Sequence, residues 1–274
     1  MKHQANKAER IAKIIARAGL ASRRESEKLI QNGRVKVNGE TINSPALNLT
    51  KNDVIEVDGK LLLPPEQTRL WIYNKPVGLI STSKDEKNRP TIFANLPKEL
   101  PRVVSIGRLD LNSEGLLLLT NDGELKRRLE LPSTGWLRRY RVRVKGKLKD
   151  SMLEPLRHGI FVEGTYFKPM DVSFDRQTGA NAWLSIGLRE RKKREMRKAL
   201  GFVGLSVNRL LRISFGERSE GHTLEATPSF FQFLLTLCRS KRKVGSKRKF
   251  CTLLPVTAFC FQFATKTHGT FSCT

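Results

Sequence analysis

The residues best suited to chemistry lie in the stretch Ser105-Ile-Gly-Arg-Leu-Asp110-Leu-Asn-Ser-Glu-Gly115-Leu-Leu-Leu-Leu-Thr120-Asn-Asp-Gly123. A short apolar strand ends at Ile106, Gly107 opens a loop, and Arg108 and Asp110 follow it on either side of Leu109. A second apolar strand, Leu116 to Leu119, leaves toward a turn. Such a loop presents a cation and a carboxylate from one base, the pair of groups that can hold a polar substrate and act on it. A surface ion pair beside a hairpin is the competing reading, and a bare Arg-x-Asp would be read that way. The flanking glycines and the Leu run bring a site level with it. The rest of the chain has to decide.

Elements able to position this loop are legible around it. Arg69 to Tyr73 reads as a strand, with Asn74-Lys-Pro-Val-Gly78 as the turn after it. Lys75 in that turn suits either a phosphate contact or an ordinary turn position. Thr91 to Leu96 reads as a helical turn, and Val103 to Ile106 as the strand that delivers the loop. Beyond Gly123, Glu124 to Leu129 predicts a short helix, and Arg139-Tyr-Arg-Val-Arg-Val-Lys-Gly146 alternates as a basic strand whose aromatic is Tyr140. Ser151 to His158 reads as helix, and Ile160 to Val162, Met170 to Phe174 and Trp183 to Ile186 as strands of a meandering mixed sheet. The run from 189 to 200 predicts a basic helix with Met196 and Leu200 inward and Arg197 beside them. Val207 to Phe215 reads as a buried strand.

Upstream, Ile11, Ile14, Ile15 and Ala18 recur at helical spacing, and Ser22-Arg-Arg-Glu25 matches a capping box that starts a second helix at about 23 to 32. Arg34-Val-Lys-Val37 then alternates into Asn38-Gly39, a strong hairpin turn, and Val54-Ile-Glu-Val57 with Asp58-Gly59 repeats the pattern. Arg23, Arg24, Lys28, Arg34 and Lys36 cluster where they could track the phosphates of a structured RNA. This arrangement resembles the S4 RNA-binding domain. Pro64-Pro65-Glu-Gln-Thr68 follows as a short stiff linker.

The chain has 274 residues and a formal net charge of +25, which points to a polyanionic partner, nucleic acid rather than membrane. No stretch has the apolar length of a membrane-spanning helix. The first twenty residues contain Glu9 and run into a capped helix, so they are read as folded, cytoplasmic protein rather than a transit peptide. Cys238, Cys251, Cys260 and Cys273 form no Cys-x-x-Cys pair, so free thiols are expected rather than a disulfide framework or a metal site.

Taken together, Asn74-Lys-Pro-Val-Gly78, Gly107-Arg-Leu-Asp110 with Gly115 to Gly123, Tyr140, Arg194-Glu-Met-Arg197 and Val207-Asn-Arg-Leu-Leu-Arg212 resemble the RsuA/RluB family of bacterial ribosomal RNA pseudouridine synthases. The likeness spans roughly residues 8 to 216. It implies an α+β chain: a small S4-type α/β RNA-binding domain at 8–63, a linker at 64–68, and a pseudouridine synthase domain at 69–216 built on a mixed, mainly antiparallel sheet. The activity implied is isomerisation of a uridine in ribosomal RNA, with the large-subunit 23S RNA or a ribosome-assembly intermediate as partner and a monomeric enzyme. By the same resemblance Asp110 is the catalytic carboxylate, Arg197 would pair with it and favour its ionised form, and Tyr140 would stack on the uracil. Arg108 would fill the gap left by the extruded nucleotide, Lys75 would contact substrate, and Leu210 would wall the uracil pocket. Neither metal nor organic cofactor is implied.

The chain departs from the family pattern at Arg191, where the family has Gly, and after Gly216. The tail at 217–274 holds every cysteine and a basic cluster from Arg239 to Lys249. Two readings compete for it, a basic RNA-binding extension and translation in a shifted frame; the abrupt change of composition favours the second. A non-catalytic RNA-binding or ribosome-assembly protein, and a synthase acting on 16S RNA, are the alternatives to the leading functional reading.

Overall fold

A computed structural model describes residues 8–83, 85–190, 192 and 194–216, together with the backbone of 253–255. At the N-terminal side β1 (Glu9–Arg10) enters α1 (Ile11–Arg17), which buries Ile11, Ala12 and Ile15. The capping box forms as its spacing predicts: the Glu25 amide donates to Ser22 Oγ at 3.2 Å and the Ser22 amide donates to Glu25 Oε2 at 2.8 Å, starting α2 (Arg23–Gln31). β2 (Val35–Val37) and β3 (Glu40–Thr41) join through Asn38 and Gly39, both at positive φ, as a two-residue hairpin requires. β4 (Asn48–Leu49) pairs back onto β1, a two-residue ladder that helical periodicity alone conceals. β5 (Ile55–Val57) and β6 (Lys60–Leu61) complete an antiparallel sheet of order β3-β2-β5-β6. Its inward Val35, Val37, Ile55 and Val57 share a core with Ile11, Ile15 and Ile30.

The larger sheet begins with β7 (Leu70–Lys75), then a 3-10 turn at Phe93–Asn95, β8 (Val104–Ile106) and β9 (Glu114–Thr120). Asp122 caps α3 (Gly123–Glu130) by accepting from the amides of Glu124 and Leu125. β10 (Arg138–Lys145), α4 (Glu154–His158), the hairpin β11 (Ile160–Val162) with β12 (Thr165–Phe167), β13 (Asp171–Thr178) and β14 (Asn181–Leu188) follow. α5 (Glu195–Phe202), β15 (Ser206–Phe215) and β16 (Leu253–Pro255) end the described elements. The strand order is β13-β14-β10-β15-β9-β7-β16, with β8 on β9. Every pairing in it is antiparallel except β15 with β9. The architecture is therefore α+β, with a mixed and mainly antiparallel sheet.

The two faces of this sheet are covered differently. Trp71, Tyr73, Leu117, Leu119, Tyr140, Val142 and Leu184 face one core, which α4 and α5 close with Leu156, Met196 and Leu200. Leu116, Leu118, Leu70 and Phe215 face the other, which α3 closes with Leu129. Being covered on both sides, β9 carries consecutive leucines rather than an alternating pattern.

The sequence expectation fails in one element near the site. Of the expected helix, the described residues Arg189, Glu190, Lys192 and Arg194 are not helical: Arg194 sits at φ +54 and α5 starts at Glu195. The Glu190 carbonyl accepts from Arg138 Nη1 at 2.8 Å instead of from a helical amide, and neighbouring cations disfavour a helical turn there. Arg191, and the tail apart from the backbone of β16, lie outside the described residues.

Candidate active site

The hairpin of β8 and β9 projects the loop of Gly107 to Ser113, and the surroundings hold its backbone almost completely. Ser81 Oγ donates to the Leu109 carbonyl at 3.0 Å and accepts from the Leu109 amide at 3.2 Å. Lys75 Nζ donates to the carbonyls of Asp110 at 3.1 Å, Ser113 at 2.8 Å and Pro76 at 3.0 Å. The Gly78 amide donates to the Leu111 carbonyl at 2.9 Å. Arg197 Nη2 donates to the Asn112 carbonyl at 3.1 Å, while its Nη1 reaches the Val207 carbonyl on β15 at 3.1 Å. From Leu109 to Ser113 each carbonyl thus has a donor, and the exposed side chains of Arg108 and Asp110 stand on a fixed frame.

The frame is also held from behind. Lys126 and Glu130, one turn apart on α3, form an ion pair at 2.7 Å. Lys126 Nζ donates to the Ser105 carbonyl, and Glu130 Oε1 accepts from the Gly107 amide. Ser105 O and Gly107 N–H are the groups that the free edge of β8 would offer a further strand, so two helix side chains stand in for that strand.

Tyr140, 7% exposed, and Leu210, 5% exposed, lie on adjacent strands of the face that also carries Leu109 and Met196. The structure thereby brings Asp110, Tyr140, Arg197 and Leu210 to one side of the sheet. Burial pushes the Arg197 guanidinium below its ordinary value and Arg194 adds to that, while the Asp110 carboxylate opposes both. Burial likewise pushes Lys75 down to about 8, with Asp110 and Glu114 opposing.

Two expectations need correction. Lys75 is 0% exposed and extends β7 rather than turning out of it, with its three protons on carbonyls; in this arrangement it fastens the loop and offers nothing to a phosphate. Arg197 forms no ion pair with Asp110 among the described residues: the guanidinium is held by two carbonyls, and the carboxylate points to solvent. The joint between β9 and β15 explains how Arg197 gets there. Gly115, at φ +100, lets the strands meet so closely that an added Cβ would lie 2.3 Å from the Arg212 carbonyl. Arg212 itself is 2% exposed and donates from Nε to the Leu116 carbonyl at 2.6 Å.

Of the expected RNA contacts, Arg23, Arg24, Lys28, Arg34 and Lys36 are all exposed around α2 and β2. Arg34 is engaged by Asp58 through two 2.6 Å hydrogen bonds, which hold the Asp58 carboxyl below its ordinary value. Ser81, Lys126 and Glu130 escaped the sequence reading. Only the i, i+4 spacing of the last two was visible beforehand.

Residues 69–201 match the family model described as RNA pseudouridylate synthase, and residues 9–55 match that of the S4 domain. An RNA pseudouridine synthase from Rickettsia felis is 50% identical over 208 residues, which cover 76% of this chain and 90% of that one. The chain belongs to the RNA pseudouridylate synthase family. Among the relatives of this pseudouridine synthase, the ribosomal large subunit pseudouridine synthase B of Yersinia pestis is 40% identical over 215 residues, 76% of this chain and 68% of that one. Its Escherichia coli counterpart is 39% identical over 215 residues, 76% and 74% of the two chains. A crystal structure of a pseudouridylate synthase aligns with a TM-score of 0.52 at 25% identity, over 81% of this chain and 98% of that one. No helix among the described residues is long and apolar enough to cross a membrane.

Proposed function

We propose that this pseudouridine synthase isomerises a uridine of large-subunit ribosomal RNA, acting in the cytoplasm as a monomer, with residues 8–63 gripping RNA and residues 69–216 performing the reaction. The reaction breaks the C1′–N1 bond, turns the uracil, joins C1′ to C5 and removes the C5 proton. A carboxylate can begin it by attacking C1′, by attacking the uracil or by taking the C2′ proton, and Asp110 is that carboxylate. Tyr140 stacks on the uracil, Leu210 walls its pocket, and Arg108 occupies the space the flipped nucleotide vacates. Arg197 acts through its charge and through its hold on the Asn112 carbonyl; Lys75 acts by fixing the loop.

One observation carries this reading: the unbroken series of held carbonyls from Leu109 to Ser113 beneath a solvent-facing Asp110. Preorganisation of this kind is what catalysis by a single side chain demands, because a misplaced carboxylate loses rate steeply. Mapping pseudouridines in ribosomal RNA from cells with and without the gene tests the substrate. One large-subunit site lost on deletion and restored by the wild-type gene is expected; a site lost in the small-subunit RNA instead would contradict it.

A further inference from the structure

The second face of the β13-β14-β10 half of the sheet points away from Tyr140 and Leu210, while α3 packs on that face over β8 and β9, at the other end of the strand order. Strand alternation places Arg139, Arg141, Arg143 and Lys145 of β10 outward, beside Trp183 of β14. Arg176 of β13 stands opposite Trp183, and Arg209 of β15 opposite Arg143. The Trp183 ring lies 5.3 Å from the Arg141 guanidinium and 6.0 Å from that of Arg143.

Asp175 pairs with Arg141 at 3.5 Å and Glu114 pairs with Arg209, but among the described residues no carboxylate pairs with Arg143. Two arginines directly opposite each other across a ladder repel, and the buried Arg143 Nε has no hydrogen-bond acceptor among the described residues. An anion resting on the guanidiniums relieves that repulsion. Successive outward cations on one strand lie about 7 Å apart, so β10 holds a row of charges that an extended polyanion can follow. The indole holds two of the guanidiniums in place, which lowers the entropy lost on binding.

We infer that this face is a second RNA-binding surface, taking the phosphodiester backbone of a segment other than the one that enters the Asp110 site. The inference rests on the RNA reading above and adds to it a sequence-independent grip on the opposite side of the sheet. Binding assays, independent of turnover, separate the two. The probes are a large-subunit ribosomal RNA transcript and a short stem-loop cut from it around the mapped uridine.

The variant R143Q/K145Q/R176Q is expected to bind the transcript about 10–100-fold more weakly, with the slope of log affinity against log salt shallower by about 2. Its affinity for the stem-loop should equal that of the wild type. Unchanged affinity for the transcript would overturn the inference and leave the face to an acidic protein partner. An equal loss on both probes would overturn it too, placing these residues in the substrate cleft. Should the triple variant not fold, K145Q/R176Q, altered only at exposed positions, carries the same test with a shallowing of about 1. A wild type that binds as described yet forms no pseudouridine would defeat the functional reading alone.

Discussion

A lysine ammonium withdrawn from water needs an acceptor for each of its three protons, and Lys75 finds them on Pro76, Asp110 and Ser113. Replacing it with Met removes the cost of burying a charge but takes one donor from each of those carbonyls, of which Asp110 keeps the Ser113 amide, a net loss of about 1–3 kcal/mol. Lys75→Met is therefore expected to lower thermal stability modestly and kcat by about 10–100-fold with little change in KM, because the loop carrying Asp110 drifts. Denaturant melts and steady-state kinetics check this. The pH dependence has two parts. With a folded pKa of about 8 against 10.5 unfolded, Lys75 binds fewer protons when folded, so its contribution to stability grows as pH rises through that interval. Over the same interval the ammonium loses its third donor. Wild-type kcat should fall above about pH 8 while circular dichroism still shows a folded protein, and Lys75→Met should lack that fall. Sequence alone did not reveal this role, since a lysine after a strand and before a proline has the signature of a turn. Its burial depends on β9 and the loop beyond β8 closing over β7, contacts more than thirty positions away.

Among the elements, the joint of β9 with β15 is the narrowest. Gly115→Ala puts a methyl group against backbone at a φ that side chains rarely adopt, so a loss of about 3 kcal/mol or more is expected. Chemical denaturation should show it; a variant as stable as wild type would mean that the strands can part without cost. α3 supplies the other support. Glu130→Gln keeps the shape and weakens both the pair with Lys126 and the bond from the Gly107 amide, so kcat should fall several-fold with KM nearly constant. Lys126→Met should reproduce the effect. The longer strands, the capping box and both two-residue hairpins were legible because local chemistry decides them: Ser22 with Glu25, Asn38-Gly39 and Asp58-Gly59 leave few alternatives, whereas the short β1, β4 and β12 carry no such local signal. The helix expected from 189 was misjudged because Arg138, far along the chain, takes the Glu190 carbonyl. Asp110, Tyr140, Arg197 and Leu210 entered as candidates for their roles through a family resemblance alone. Their convergence on one face of the sheet came from the fold, and the direct contact expected between Asp110 and Arg197 is absent among the described residues.

At the scale of the molecule, the excess of cations makes RNA affinity fall steeply with salt, since each phosphate neutralised releases counterions. Arg23, Arg24, Lys28 and Lys36 on the N-terminal unit and the outward cations of β10 on the larger sheet place charge on both sheets, while Asp110 stands between them in sequence. Affinity and chemistry should therefore separate: removing the carboxylate leaves binding intact and stops the reaction. The most direct test is a pseudouridine assay on large-subunit ribosomal RNA with wild type and Asp110→Asn, run beside RNA binding at fixed salt. Wild type is expected to form pseudouridine at one site. Asp110→Asn is expected to bind with the same affinity and lose at least about 1,000-fold in rate, as fits the loss of a catalytic nucleophile or base. Equal product from both proteins would contradict the role given to Asp110 and to the loop that holds it.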